Sequence, residues 1–355
     1  PRPAAKQSHC PELHPALTIR FAVLPDRDFT VLLEYLKICR IDHWLKNVFI
    51  VFGHAVAIVL YYKLELPPDF IAKAVLSLVP VCLIASSYYI LNEILDAPFD
   101  ALHPTKKLRG IPAGKVKVPI LWAIMGGLMI VGFGMAWFLF DNHLYFAFLG
   151  VLMFFALLYN IPPVRLKDRA FLDVISESIN NPLRLLLGWY AVVPAEVVAM
   201  PPLSIILAWW FCGALLMTGK RYSEYRFIGD DELSGKYRKS FKVYDEGKLI
   251  MAMICYACLF CFCTGIAMAV YRPLNNLVLI FPMILLAILA YFRHAMREES
   301  ARLEPEQLLK NPWIIGTTIL TGALSLWLLY AQKHGWFDVK VTYRLMQARW
   351  QDINQ

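Results

Sequence analysis

The chain has 355 residues, 59% of them hydrophobic and only 17% charged, and carries a formal net charge of +8. With a mean hydropathy of +0.52, it is too apolar for an ordinary soluble domain. The cations sit in short segments between long apolar runs, which fits membrane topology and anionic ligands rather than nucleic acid.

Residues 1–30 hold scattered prolines and charges without a long apolar core, so they read as an N-terminal extension and not a signal peptide. Nine apolar spans follow, each near the about 20 residues that a bilayer core requires. They are expected at 47–64, 70–92, 118–140, 143–160, 171–193, 203–219, 249–271, 276–293 and 313–331. A transmembrane domain then covers 31–331, and 332–355 forms a C-terminal tail. Only Asp141-Asn142-His143 separates spans three and four, which predicts a tight hairpin. The sequence does not exclude a homo-oligomer.

Topology follows from the cations. Lys37, Arg40 and Lys46 precede span one; Lys106, Lys107, Arg109, Lys115 and Lys117 follow span two; Arg165, Lys167 and Arg169 follow span four. Lys220, Arg221, Arg226, Lys236, Arg238, Lys239, Lys242 and Lys248 follow span six, and Arg297, Arg302 and Lys310 follow span eight. The intervening loops are nearly bare. The N-terminus and all of these basic loops are therefore expected on the cytoplasmic face of a multi-pass protein, with a cell inner membrane as the expected location.

The eight cysteines form no disulfide framework. Cys255, Cys258, Cys261 and Cys263 resemble a metal spacing, but on a helix they point in different directions and cannot converge on one ion.

Span two closes on Asn92-Glu93-Ile94-Leu95-Asp96-Ala97-Pro98-Phe99-Asp100, followed by His103-Pro104-Thr105-Lys106-Lys107-Leu108-Arg109. Asn92, Asp96 and Asp100 recur every fourth residue, which places them on one helix face. Three oxygen-bearing side chains beside a cation cluster suit a divalent metal carrying a phosphorylated ligand. A solvated polar helix end is the plain alternative. Pro98 is expected to end or kink the helix near Ala97. Carboxylates there would oppose the helix dipole, a penalty that a bound cation would remove.

A second constellation begins at Tyr159-Asn160-Ile161-Pro162-Pro163 and runs through Arg165, Lys167 and Asp168 to Asp173 and Glu177. The last two are spaced i, i+4 and share a face. Asn180, Asn181 and Arg184 continue into the same apolar span, where ionisable residues are functional candidates. Lys220-Arg221-Tyr222-Ser223-Glu224-Tyr225-Arg226, after span six, suits either phosphate or lipid headgroups. Before span one, Trp44 reads as an interfacial anchor, while Lys46 and Asn47 are candidates to face the interior. The sequence contains no GxGxxG, P-loop or HExxH motif.

Nine spans with two acid-rich segments on cytoplasmic connections resemble the UbiA superfamily of intramembrane prenyltransferases. Asn92-x-x-x-Asp96-x-x-x-Asp100 is similar to its first motif, NDxxDxxxD, with Glu93 in place of an aspartate. Asp173-x-x-x-Glu177 stands where the second acidic motif belongs, with Glu177 again a departure. Trp44-Leu45-Lys46-Asn47, the Leu102–Arg109 segment with Ala113-Gly114, and Gly219-Lys220-Arg221-Tyr222 resemble the decaprenyl-phosphate phosphoribosyltransferase branch, except that Gly110 replaces a proline.

The resemblance implies an all-α, polytopic membrane protein with nine transmembrane helices around a central cavity that opens to the cytoplasmic side. It implies transfer of a 5-phosphoribosyl group from phosphoribosyl pyrophosphate to a polyprenyl phosphate, with release of diphosphate. The alternative is a prenyltransferase joining a polyprenyl diphosphate to an aromatic or other small acceptor. Mg²⁺ would be held by Asn92, Asp96, Asp100 and Asp173. Asp96, Asp100, Asp173 and Glu177 would be catalytic, with Glu177 completing the metal shell or orienting the acceptor. Lys46, Lys106, Arg109, Lys167 and Arg184 would clamp phosphates, and Asn47, Asn92, Tyr159 and Lys220 would also contact substrate. A transporter is a further reading, but the sequence shows no clear internal repeat.

Overall fold

This computed structural model describes residues 27–101, 106–228, 239–296 and 312–344. The described residues form helices and connecting turns, without a strand. Arg27–Ile38 (α1) leads into a 3₁₀ segment, Ile41–Phe49, and then Ile50–Leu60 (α2). Phe70–Leu76 (α3) and Leu78–Asp100 (α4) follow, then Val118–Leu139 (α5) and His143–Asn160 (α6). Leu172–Ser178 (α7), Asn180–Val192 (α8) and Leu203–Ile228 (α9) form the centre of the chain. Glu246–Val270 (α10), a 3₁₀ segment at Arg272–Ile280, Phe281–Ala295 (α11) and Pro312–Lys333 (α12) complete it.

Eight helical stretches among the described residues are long and apolar enough to cross a membrane, one fewer than the expected nine. The difference lies in span five, which divides at Ile179 into α7 and α8. Pro182 explains the break. It has no N–H to give the Ser178 carbonyl four residues back, and its ring crowds that carbonyl. Asp173, Glu177 and Arg184 also lower the hydropathy of this stretch.

The broken span is the hub of the bundle. Every residue of α8 from Pro182 to Val192 is buried, and α2, α3, α6, α7 and α9 all pack against α8. The main core joins Leu185, Leu187 and Tyr190 to Ile50, Ala57, Val81, Ile84, Leu149 and Leu152. Ile130, Phe138, Trp313 and Leu326 instead stand on the outside, each at least 70% exposed. Apolar surface of that extent has a low-energy environment in lipid, not in water.

Two glycines set the closest approach. A Cβ on Gly53 would lie 2.0 Å from the Leu185 carbonyl oxygen, and one on Gly188 would lie 2.1 Å from that of Ile50. Both obstacles are backbone, so α2 and α8 touch only because both side chains are absent.

Three boundaries differ from expectation. First, α4 runs through Pro98 to Asp100 instead of ending near Ala97. Pro98 lies in the last turn, where only the bond to Ile94 is forgone and the Ala101 amide still reaches the Ala97 carbonyl at 3.0 Å. Second, α9 extends nine residues beyond the expected end at 219, so the basic Lys220–Arg226 cluster is helical. Third, α12 ends at Lys333, two residues beyond the expected 331; past it, fully buried Asn276 donates to the Phe337 carbonyl at 2.8 Å and accepts from the Val339 amide at 2.9 Å. The expected hairpin is present, with Asn142 capping α6 through the Leu144 amide at 3.0 Å.

Gly53→Ala and Gly188→Ala should each force α2 from α8 and lower the thermal transition in detergent, with a loss of about 1–3 kcal/mol or more for overpacking. Gly126→Ala, where an added Cβ meets nothing within 4 Å, should leave the transition unchanged or raise it.

Candidate active site

The charged motifs meet at one end of the bundle. The C-terminal ends of α4, α6 and α9 gather there with the start of α7 and the 3₁₀ segment before α2. Alternating helix direction explains this placement, since the exits of spans two, four and six must lie on the same side.

The first group centres on Lys167, which is 7% exposed. Its ammonium donates to Asp96 Oδ1 at 2.6 Å, Asn92 Oδ1 at 3.1 Å and Asn160 Oδ1 at 3.1 Å. Arg165 adds a bond to the same Asp96 oxygen at 3.0 Å. Arg165 adopts a left-handed backbone (φ 30°, ψ 65°), a conformation that costs about 1–3 kcal/mol in a non-glycine residue. The turn after Pro163 thus returns both cations to α4.

The second group centres on Arg221. Its guanidinium donates to Asp173 Oδ2 at 3.0 Å, Glu177 Oε2 at 2.6 Å and Glu224 Oε2 at 3.1 Å. Asp173 is fully buried and also accepts from the Tyr244 hydroxyl and from Ser240 Oγ. Tyr244 in turn accepts the Phe171 amide at 2.7 Å. Burial, and then the adjacent Asp173 carboxylate, push the Tyr244 hydroxyl well above the ordinary phenol range, so it donates throughout the physiological range. Tyr159 donates to Glu177 Oε2 at 3.2 Å. Tyr159 and Asn160 therefore touch the two groups from consecutive positions of α6.

Asp100 belongs to a third group. Arg109 donates to Asp100 Oδ2 at 3.2 Å and to Glu93 Oε1 at 3.3 Å, and Arg40 also pairs with Glu93. Helix phase explains why Asp100 parts from Asn92. Each residue advances about 100°, so a spacing of four drifts about 40°. Asp100 thus ends about 80° from Asn92 and only about 20° from Glu93.

The remaining predicted residues are dispersed around these groups. Arg184 Nε donates to Asn47 Oδ1 at 3.0 Å. Lys46 Nζ lies 3.4 Å from His43 Nδ1. Lys220 is half-buried and takes no place in these groups; its neighbour Arg221 holds the acids instead. The Lys106 side chain and all of His103, Pro104 and Thr105 lie outside the described residues, as do Lys236, Arg238, Arg297, Arg302 and Lys310.

The model of the UbiA prenyltransferase family matches residues 50–315. The chain belongs to the UbiA prenyltransferase family.

Relatives that carry the name decaprenyl-phosphate phosphoribosyltransferase include the following two. The protein from Mycolicibacterium smegmatis is 28% identical over 216 residues, covering 60% of this chain and 63% of the relative. That from Corynebacterium glutamicum is 26% identical over 215 residues, covering 59% of each. The alignments thus span under two thirds of these relatives' length. The fold is shared with a UbiA homolog from Archaeoglobus fulgidus bound to DMAPP and Mg²⁺, at a TM-score of 0.60 and 18% identity over 84% of this chain and 99% of that one.

This UbiA-family chain gathers no group of three His, Cys, Asp or Glu side chains suited to a metal among its described residues. Mg²⁺ needs fewer, because it takes one or two carboxylates and completes its shell with phosphate oxygens and water. Asn92 and Asp96 meet that requirement, since their oxygens already converge on one cation, the Lys167 ammonium. Asp100 and Asp173 face other partners.

Arg221, Asn160 and Arg165 lie in stretches that the sequence singled out but carried no individual role there, and Tyr244 was passed over altogether. Arg221 carried a signal, the i, i+3 spacing to Glu224, hidden by ending the helix at 219. Tyr244 carried none, since its role depends on the fold of a distant connection.

Arg221→Met should destabilise the protein by about 3–5 kcal/mol, because it leaves Asp173 buried without its cation. Arg221→Met combined with Asp173→Asn should recover part of that loss, as read from thermal transitions of the single and double variants.

Proposed function

We propose that this protein is a Mg²⁺-dependent transferase that moves a 5-phosphoribosyl group from phosphoribosyl pyrophosphate to a polyprenyl phosphate and releases diphosphate. The observation that carries this reading is the convergence of Lys167 and Arg165 on the Asn92–Asp96 face, where paired acceptors and cations suit a diphosphate with its metal. The two relatives named decaprenyl-phosphate phosphoribosyltransferase support the choice of substrates.

Asn92 and Asp96 would hold Mg²⁺, which supplies charge neutralisation for the departing diphosphate. Lys167 and Arg165 bind the same diphosphate and withdraw charge from its oxygens as the anomeric bond breaks. The acceptor phosphate oxygen forms the new bond at that carbon. Arg221 and Tyr244 hold α7 against α9 and so keep Glu177 at the edge of the site. Concentration of cations at this end of the bundle supports a cytoplasmic orientation, where a soluble phosphorylated donor is available, and a cell inner membrane as the location.

Incubation of purified protein with phosphoribosyl pyrophosphate, Mg²⁺ and labelled polyprenyl phosphate should yield a labelled glycolipid. Chelation should abolish the product, and Asp96→Asn should lower the rate about 10²–10³-fold, the range for loss of one group that stabilises developing charge. Turnover of a prenyl diphosphate with an aromatic acceptor, and no labelled glycolipid, would overturn the assignment.

A further inference from the structure

Arg184 stands apart from every other buried cation at this end. It lies within α8, is 6% exposed, and makes one side-chain hydrogen bond among the described residues, from Nε to Asn47 Oδ1 at 3.0 Å. Asn47 is itself 1% exposed and is held by its own bond to Cys82 Sγ at 3.3 Å. Lys167, Arg165 and Arg221 each meet carboxylates, whereas Arg184 meets none among the described residues. A guanidinium carries five N–H donors, and Asn47 uses one. An arginine buried in an apolar span without a counter-charge is unfavourable unless an anion completes it.

The surroundings indicate which anion. Asn47 links Arg184 to Cys82 on α4, ten residues before Asn92 and about 15 Å from it along that helix. The guanidinium is therefore deeper in the bundle than the Asn92–Asp96 face. Arg184 lies on α8, whose residues from Pro182 to Val192 are all buried, one turn from the Gly188–Gly53 contact. A highly charged, water-soluble donor is poorly suited to that depth. A phosphate monoester attached to an isoprenoid chain is well suited, because the chain extends into lipid while the phosphate meets the guanidinium.

We infer that Arg184, positioned by Asn47, binds the monophosphate headgroup of the isoprenoid acceptor in a subsite separate from the diphosphate-binding Lys167–Arg165 pair. The subsite rests on the function proposed above, and it assigns the two phosphorylated substrates to different cations. Arg184 supplies the fork that accepts two phosphate oxygens. Asn47 keeps the guanidinium plane from rotating away. The bound oxygen nucleophile is thereby presented from the membrane side of the donor's anomeric carbon.

The test uses the full chain in phosphatidylcholine nanodiscs and measures binding of polyprenyl monophosphate, the matching neutral polyprenol and phosphoribosyl pyrophosphate separately. Arg184→Gln should weaken the monophosphate at least tenfold while leaving the polyprenol and phosphoribosyl pyrophosphate within twofold of wild type. Arg184→Lys, which keeps the charge but loses the fork, should fall between them and guards against a folding defect in the glutamine variant. Unchanged monophosphate binding in both variants, or a loss confined to phosphoribosyl pyrophosphate, would overturn the subsite. Wild-type turnover measured alongside tests the underlying reading independently. Arg184-dependent monophosphate binding without phosphoribosyl transfer would refute the reaction and uphold the subsite.

Discussion

A guanidinium with 2% of its side chain exposed has surrendered most of its hydration, and Arg221 is compensated by carboxylate oxygens. Those oxygens come from Asp173 and Glu177 on α7 and Glu224 on α9 itself. Burying such a group is strongly unfavourable unless every partner is in place. The ion cluster therefore ties α7 to α9, and through Tyr244 and Ser240 it also ties both to the connection before α10. On the other side of the site, Lys167 and Arg165 meet Asp96, and Arg165 also meets Asp168.

Because α8 is buried on all sides, any charge on it lies in a medium where electrostatic interactions are strong. Arg184 is the charge placed there. Close packing of α2 against α8 at Gly53 and Gly188 holds Asn47 within reach of it. Pro182 separates α8 from α7, so the acidic turn and the apolar core helix are distinct helices while remaining consecutive in sequence.

Much of this architecture was legible in the residues. Span four was expected at 143–160 and α6 occupies His143–Asn160, because Asn142 marks its start and the double proline its end. The i, i+4 spacing of Asp173 and Glu177 correctly placed both on one face, where both meet Arg221. Other features depended on three-dimensional context. The extension of α9 beyond 219 is stabilised by contacts with α10 and by buried Arg221, neither visible in local hydropathy. Asp100 looked equivalent to Asp96 because spacings of four and 3.6 are hard to distinguish over two turns, yet the accumulated drift turns it toward Arg109. Glu93, which looked like a simple departure from a motif, is the partner of Arg40 and Arg109.

Tyr159 and Asn160 give the site a property of a different kind. Adjacent residues on one helix end address opposite halves of the centre, Tyr159 through Glu177 and Asn160 through Lys167. Adding or deleting one residue in α6 would turn both by about 100° and disconnect both halves together. The length of α6, counted from its Asn142 cap, is therefore as strictly constrained as the identity of any acid.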